Sequence, residues 1–219
     1  MNQTDKFLAT ILNSYDVTGI INPADGIHYP SRRQLMHVLE LIQEILFPGF
    51  FGVDILNEQE LPEVTQTRLD SLFELLNLEI EKCLSWNPES PDVSGNHPAD
   101  VENKPVAEHI VTLFLEEVPS LRKQLRDDAI AMYDGDPAAK SLVEVVLSYP
   151  GFLAVMGYRI AHFFYSHNVP LIPRMFTEIV HAQTGIDIHP GAQIGASFCI
   201  DHGSGIVIGE TAVIGNHVK

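Results

Sequence analysis

The sequence predicts an α-helical N-terminal domain over residues 1–184, followed from residue 185 by a parallel β-helix. Three observations carry this reading. Up to about residue 184 apolar residues recur at intervals of three and four, the spacing of one buried helical face. At Gly185 that spacing stops and small residues become frequent. Isoleucine then returns every six residues at Ile188, Ile194, Ile200 and Ile206 and, after a shift of two, at Ile208 and Ile214. A six-residue period marks a coil in which each hexad supplies one short strand and one corner. The repeating isoleucine is expected to point inward, with Gly or another small residue at the corners where φ turns positive or a side chain would clash. Two-residue alternation does not reproduce that period.

In the helical part, Leu35, Val38, Leu39, Ile42, Ile45 and Leu46 define a helix over 34–47 that Pro48-Gly49 ends. Leu69, Leu72, Phe73, Leu76, Ile80 and Cys83 define another over 68–84, with Asp70, Glu74, Glu79 and Glu81 on its solvated face. Residues 87–105, rich in Pro, Ser, Asn and Asp, read as a loop or linker. Helical spacing resumes at 106–117 and, after Pro119, at 121–133. Tyr149-Pro150-Gly151 punctuates, and 152–165 is apolar apart from Arg159 and His162, so this helix should be buried in an oligomer core or beneath another domain. Asn168, Pro170 and Pro173 break the chain before a last helix over 174–183.

Of the 219 residues, 13 are Lys or Arg and 29 are Asp or Glu, a formal net charge of −16. That balance excludes a nucleic-acid or anionic-membrane partner, because no basic surplus exists to neutralise phosphates. The acidity is concentrated in residues 34–119, which hold 17 acids against Arg68, Lys82 and Lys104. Two distant cysteines, Cys83 and Cys199, form no disulfide framework or four-ligand zinc spacing and are expected as buried packing residues. The N-terminal stretch has no basic n-region before an apolar run, and no 18 consecutive residues are apolar. A signal peptide and a membrane span are therefore not expected, and the cytoplasm is the expected location.

Five stretches together resemble the serine O-acetyltransferases of the hexapeptide-repeat acyltransferase superfamily, in their longer bacterial branch. They are Tyr133-Asp134-Gly135-Asp136-Pro137-Ala138, Tyr149-Pro150-Gly151, Tyr158-Arg159-Ile160-Ala161-His162, Asp187-Ile188-His189-Pro190-Gly191-Ala192, and the run from Asp201-His202-Gly203 to Gly209-Glu210-Thr211. The hexads alone would name only the superfamily. The resemblance covers roughly residues 110–219 well and the acidic N-terminal stretch more loosely. It implies a left-handed β-helix after the helical domain, assembly as a homotrimer or dimer of trimers, and transfer of acetyl from acetyl-CoA to the hydroxyl of L-serine, a step toward cysteine.

By that resemblance His202 is the general base, in a corner two residues longer than the others. A hydroxyl holds its proton too tightly to attack at neutral pH, and imidazole is the side chain suited to take it. Asp187 matches the partner carboxylate that fixes the imidazole tautomer. Asp136 and Asp201 match the carboxylates that contact serine, whose ammonium needs anionic partners. Asp136 also reads as an N-cap for a helix beginning at Pro137. His189, Arg159 and His162 read as packing or oligomer contacts, and Glu210 as a corner residue that bonds backbone. The resemblance assigns no residue of the matched motif as an acyl-enzyme nucleophile, so direct transfer is expected.

No metal is expected. The β-helix zinc carbonic anhydrases use an H-x4-H pair, whereas His189, His202 and His217 here lie 13 and 15 residues apart. An acetyltransferase for a different hydroxyl acceptor and a non-catalytic trimerising scaffold both fit the hexads as well. The family's β-helix runs several coils further, with most of the acetyl-CoA groove, an Arg-His pair for the serine carboxylate and a tail that docks onto cysteine synthase. The sequence stops at Val218-Lys219 after about five hexads. The expectation is a C-terminally truncated chain with an incomplete β-helix, cofactor-binding residues mostly beyond residue 219, no cysteine synthase tail, and little or no activity by itself.

Overall fold

The computed structural model describes residues 4–17, 29–52, 57–84, 86 and 103–219. Among these described residues seven helices precede four two-residue strands: α1 Asp5–Val17, α2 Arg32–Leu46, α3 Leu61–Leu84, α4 Asn103–Gly135, α5 Leu142–Ser148, α6 Pro150–Ser166 and α7 Ile172–Thr184, then β1 Asp187–Ile188, β2 Gln193–Ile194, β3 Val207–Ile208 and β4 Val213–Ile214.

The apolar stripe of α2 is buried as its spacing predicts, from Leu35 to Leu46, and Ser31 caps its N-terminus by accepting from Gln34 N. Helix α3 starts seven residues before the expected position 68, behind Asn57, whose side chain accepts from the amides of Gln59 and Glu60. Two assignments on α3 change. Phe73 is exposed, while Glu79 is fully buried, its carboxylate accepting from Ser31 N and Lys82 Nζ. A buried carboxylate is tolerable there because both oxygens have charge- or dipole-matched donors.

The two helices expected on either side of Pro119 are one, α4. An interior proline costs about 3 kcal/mol. Helix α4 carries it because Phe114 on one side and Leu121 and Leu125 on the other are all buried in one core. The expected loop over 87–105 lies outside the described residues up to 102, and 103–105 belong to α4.

Helix α6 is the hub. Phe152, Val155, Met156, Tyr158, Ile160 and Phe164 are all buried, packed within the chain against α4, α7 and β1. At Gly157 a Cβ would stand 2.5 Å from Val180 Cγ2, so glycine allows the close approach of α6 and α7. Among the described residues no single helix is long and apolar enough to cross a membrane.

After Gly185, an αL C-cap of α7, the strands pair in parallel, β1 with β3 and β2 with β4. Asp187 lies opposite Val207 and Gln193 opposite Val213, an offset of twenty residues. That is three hexads plus the two extra residues of the corner before Ile206. Ile188, Ile194 and Ile200 are buried, and Ile208 and Ile214 pack against the same core. Ile206 is exposed instead, because the corner shifts the phase and Ile208, not Ile206, lies over Ile188.

Candidate active site

The corner that carries His202 is built from backbone conformations side chains rarely adopt. His202 has φ +57°, between Ile200, which is buried, and Gly203 and Gly205, both at φ +84°. A Cβ at Gly203 would lie 2.4 Å from Ile200 Cγ2 and 2.9 Å from Ile186 Cδ1, so the corner folds tightly over the core. The left-handed step turns the imidazole outward, where its side chain is 99% exposed and Nε2 stands 3.8 Å from Asp201 Oδ1.

Asp136 and Asp201 come to the same place from different elements. Asp136 follows α4, and the chain then makes a turn in which Ala139 N donates to Asp136 O. The expected helix at Pro137 does not form. The Asp136 carboxylate serves the turn, Oδ1 accepting from Ala138 N at 2.8 Å, and Oδ2 accepts from the Tyr149 hydroxyl at 2.6 Å. Asp201 Oδ2 stands 3.2 Å from the ammonium of Lys219, which also donates to Gly135 O at 2.6 Å. The Tyr149 bond, and after it the Ala138 amide, hold the Asp136 carboxyl below the usual carboxylate range, with Lys219 and His202 adding smaller contributions of the same sign. From the other end of the same bond, the Tyr149 phenol is pushed up to about 12. Asp136, Asp201 and His202 thus form one cluster within electrostatic reach of each other, with an ammonium already seated in it.

Asp187 lies elsewhere. Its carboxylate, on β1, faces α7, where Arg174 Nη1 donates to Oδ1 at 3.1 Å and Nη2 to Oδ2 at 3.5 Å. Arg174 also pairs with Glu178, and His181 Nδ1 stands 3.4 Å from that carboxylate. Among the described residues no hydrogen bond or ion pair joins Asp187 to His202. Ligand atoms of Glu178, His181 and Asp187 lie within 4.8 Å of one another, a spacing that could gather around a cation, but the Arg174 guanidinium supplies the positive charge there.

The remaining candidates join the helices to the strands. Arg159 is buried, donating twice to Asp128 and to the carbonyls of Ile194 and Gly195. His162 Nδ1 bonds Pro190 O, and Tyr165 donates to Glu210 at 2.6 Å. His189 Nδ1 accepts from Gly191 N, and its ring meets the edge of Tyr165. Cys199 is buried next to the cluster and burial raises its thiol.

Sequence reasoning passed over Tyr149, Arg174 and Lys219 as site residues. Tyr149 had a usable signal: it stands at the N-cap of α6 before Pro150, a place where tyrosine has no capping use, and its side chain makes no capping bond. Arg174 and Lys219 had none, since Asp187 lies 13 residues from Arg174, and Asp201 and Gly135 lie 18 and 84 residues from Lys219.

Residues 96–156 match the family model described as serine acetyltransferase, N-terminal. A plasmid-borne serine acetyltransferase of Synechococcus elongatus is 39% identical over 190 residues, covering 87% of this chain and 59% of that protein. A serine acetyltransferase of Bacillus licheniformis is 50% identical over 96 residues, 44% of either chain. Two Entamoeba histolytica crystal structures share the fold. Serine acetyltransferase 1 with L-cysteine has a TM-score of 0.67 at 34% identity over 87% of this chain and 61% of that one, and isoform 3 with cysteine has 0.68 at 36% over 95% and 66%. The chain therefore spans less than two thirds of the length of these relatives.

Proposed function

We propose that this relative of the serine acetyltransferases is the helical domain and the first coils of an enzyme that moves acetyl from acetyl-CoA to the hydroxyl of L-serine. The twenty-residue offset of its parallel strands supports reading residues 185–219 as the start of a left-handed β-helix. The observation that carries the functional reading is the convergence of Asp136, Asp201 and His202 in one cluster, with the Lys219 ammonium paired to Asp201. The Lys219 ammonium, paired with Asp201 and near enough to lower the Asp136 carboxyl, supports reading these two carboxylates as partners for the ammonium of an amino acid.

In this reading the His202 imidazole, exposed on the surface, accepts the proton of the serine hydroxyl as its oxygen attacks the thioester carbonyl carbon. The tetrahedral intermediate then expels the CoA sulfur as the C–S bond breaks, and the imidazolium returns the proton to that sulfur. O-acetyl-L-serine and CoA leave, and no group is left on the protein. Asp187 is the carboxylate assigned to the imidazolium, and Arg174 fixes its orientation on β1. Val207 and Val213 leave apolar side chains on the outside of their strands, which supports packing of further copies as a trimer. The cytoplasm is the compartment this chemistry fits.

The test is thiol release from acetyl-CoA with L-serine, measured on this chain and on the chain continued through the coils of the Synechococcus relative. The continued enzyme should turn over serine, and His202→Ala should lower its kcat by about 10²–10⁴. Failure with serine, or a His202→Ala variant of unchanged kcat/KM, refutes the assignment.

A further inference from the structure

Tyr149 is held more firmly than a surface tyrosine needs to be. Its N–H donates to Val145 O at the end of α5, and its carbonyl accepts from Leu153 N in the first turn of α6. Both backbone groups are thus used by helix ends, which fixes where the ring starts. An N-cap side chain ordinarily bonds the helix it precedes, but the Tyr149 phenol crosses thirteen residues to Asp136 Oδ2. Two residues on, Gly151 lies against the backbone of Ile200, where a Cβ would come within 2.2 Å of the carbonyl oxygen. The turn that carries Tyr149 is therefore docked on the residue preceding Asp201. The Asp136 carboxylate, with Tyr149 on one oxygen and Ala138 N on the other, has its plane and rotamer set by two donors.

We propose that Tyr149 is a positioning residue for recognition of the substrate's amino group, holding the Asp136 carboxylate in the one orientation that shares an ammonium with Asp201. The inference rests on the acetyl-transfer reading above and extends it to the specificity of the amino-acid pocket. Tyr149 acts through Asp136 and not on the reacting atoms, so its loss falls on serine binding rather than on the acetyl-transfer step. The phenol, pushed up to about 12, remains a donor at every pH where the enzyme would work, and the carboxylate it contacts stays ionised.

The experiment compares Tyr149→Phe, Asp136→Asn and the double variant in the whole enzyme, the chain carried through the coils its relatives possess. Tyr149→Phe keeps the ring and should raise the serine KM about tenfold or more. The acetyl-CoA KM and the kcat at saturating serine should stay within about twofold, because neither step uses this bond. The Asp136 carboxyl, followed by NMR, should titrate higher in Tyr149→Phe, since it loses its main support. The double variant should be no worse than Asp136→Asn alone. An unchanged serine KM in Tyr149→Phe overturns the proposal. So does an equal fall in kcat and kcat/KM with a lowered Tm, which marks a structural role. If Asp136→Asn itself leaves the serine KM unchanged, the substrate role of Asp136 fails first. If Asp136→Asn raises it and Tyr149→Phe does not, only the role of Tyr149 is lost.

Discussion

Replacing Asp128 by Ala removes the partner of a guanidinium that has no route to water. The Asp128 and Arg159 side chains are 0% and 3% exposed. Asp128 Oδ2 and Oδ1 accept from Arg159 at 2.6 and 2.9 Å, and Oδ1 also accepts from Phe198 N at 2.9 Å. In Asp128→Ala, Arg159 keeps only the carbonyls of Ile194 and Gly195, and the Phe198 amide loses its acceptor. Breaking a buried pair from one side costs about 3–5 kcal/mol, because the surviving charge is uncompensated. For a chain of this size each kcal/mol moves Tm by about 2–4 °C, so the melt should fall by about 6–20 °C. Urea unfolding gives the free energy, and hydrogen exchange locates it: the amides of Ile194–Ile200 should lose protection before those of α2 and α3. The double variant Asp128→Leu with Arg159→Met removes both charges. It should be more stable than the sum of the single losses predicts, by at least about 2 kcal/mol. A single-variant loss under about 1 kcal/mol, or strict additivity, would falsify the view that this pair fastens the strands to the helices.

Gly151→Ala places a methyl 2.2 Å from Ile200 O, a backbone atom that cannot rotate aside, and should cost about 1–3 kcal/mol in urea unfolding; in the continued enzyme, on the proposed reading, it should also raise the serine KM. A variant as stable as the parent would show that α6 and the strand can separate there without consequence. The Tyr149 phenol, raised to about 12, favours the protonated folded state. Its contribution is complete below the ordinary tyrosine value near 10 and is lost as pH rises toward 12. The Tyr158 and Tyr165 phenols are also raised. Tyrosinate absorbance should therefore show several late steps of which Tyr149→Phe removes one, and the parent should lose stability more steeply than that variant between pH 10 and 12. Equal slopes would count against the bond to Asp136.

The fold was readable wherever one periodicity governed a segment. The stripe of α2 and the isoleucine hexads each repeat because one face is buried, so residue type reports position directly. Reading failed where two demands compete at one residue. Pro119 signals a stop locally, yet burial on both sides of it keeps α4 whole. Glu79 belongs by charge to the solvated face, but Ser31 N and Lys82 give it a reason to be inside. The site shows the same division. Asp136, Asp201 and His202 stand in contiguous motifs, whereas the contacts of Tyr149, Lys219 and Arg174 exist only after distant segments meet. The pairing assigned to Asp187 and His202 rests on the motif alone, since within this chain Asp187 is held by Arg174.

Helix α6 explains how such short strands come to hold a site. A two-residue strand has few backbone bonds of its own, and the corners between them depend on other elements for fixing. Tyr158 donates to Ala192 O and accepts from Ile194 N, Arg159 reaches Ile194 O and Gly195 O, His162 reaches Pro190 O, and Tyr165 reaches Glu210. These side chains, spaced one, three and three residues apart, line the strand-facing side of one helix and reach residues 190 to 195 and 210. The N-terminal end of the same helix carries Tyr149 and, through Gly151, rests on Ile200. A change in the seat of α6 would therefore be transmitted to both ends at once: to the coil through Arg159, and to the Asp136 carboxylate through Tyr149. Because a packed helix moves as a unit rather than residue by residue, the carboxylate that would bind the ammonium and the corner that carries His202 are kept in register by a helix that touches neither the hydroxyl nor the acetyl group in the proposed reaction.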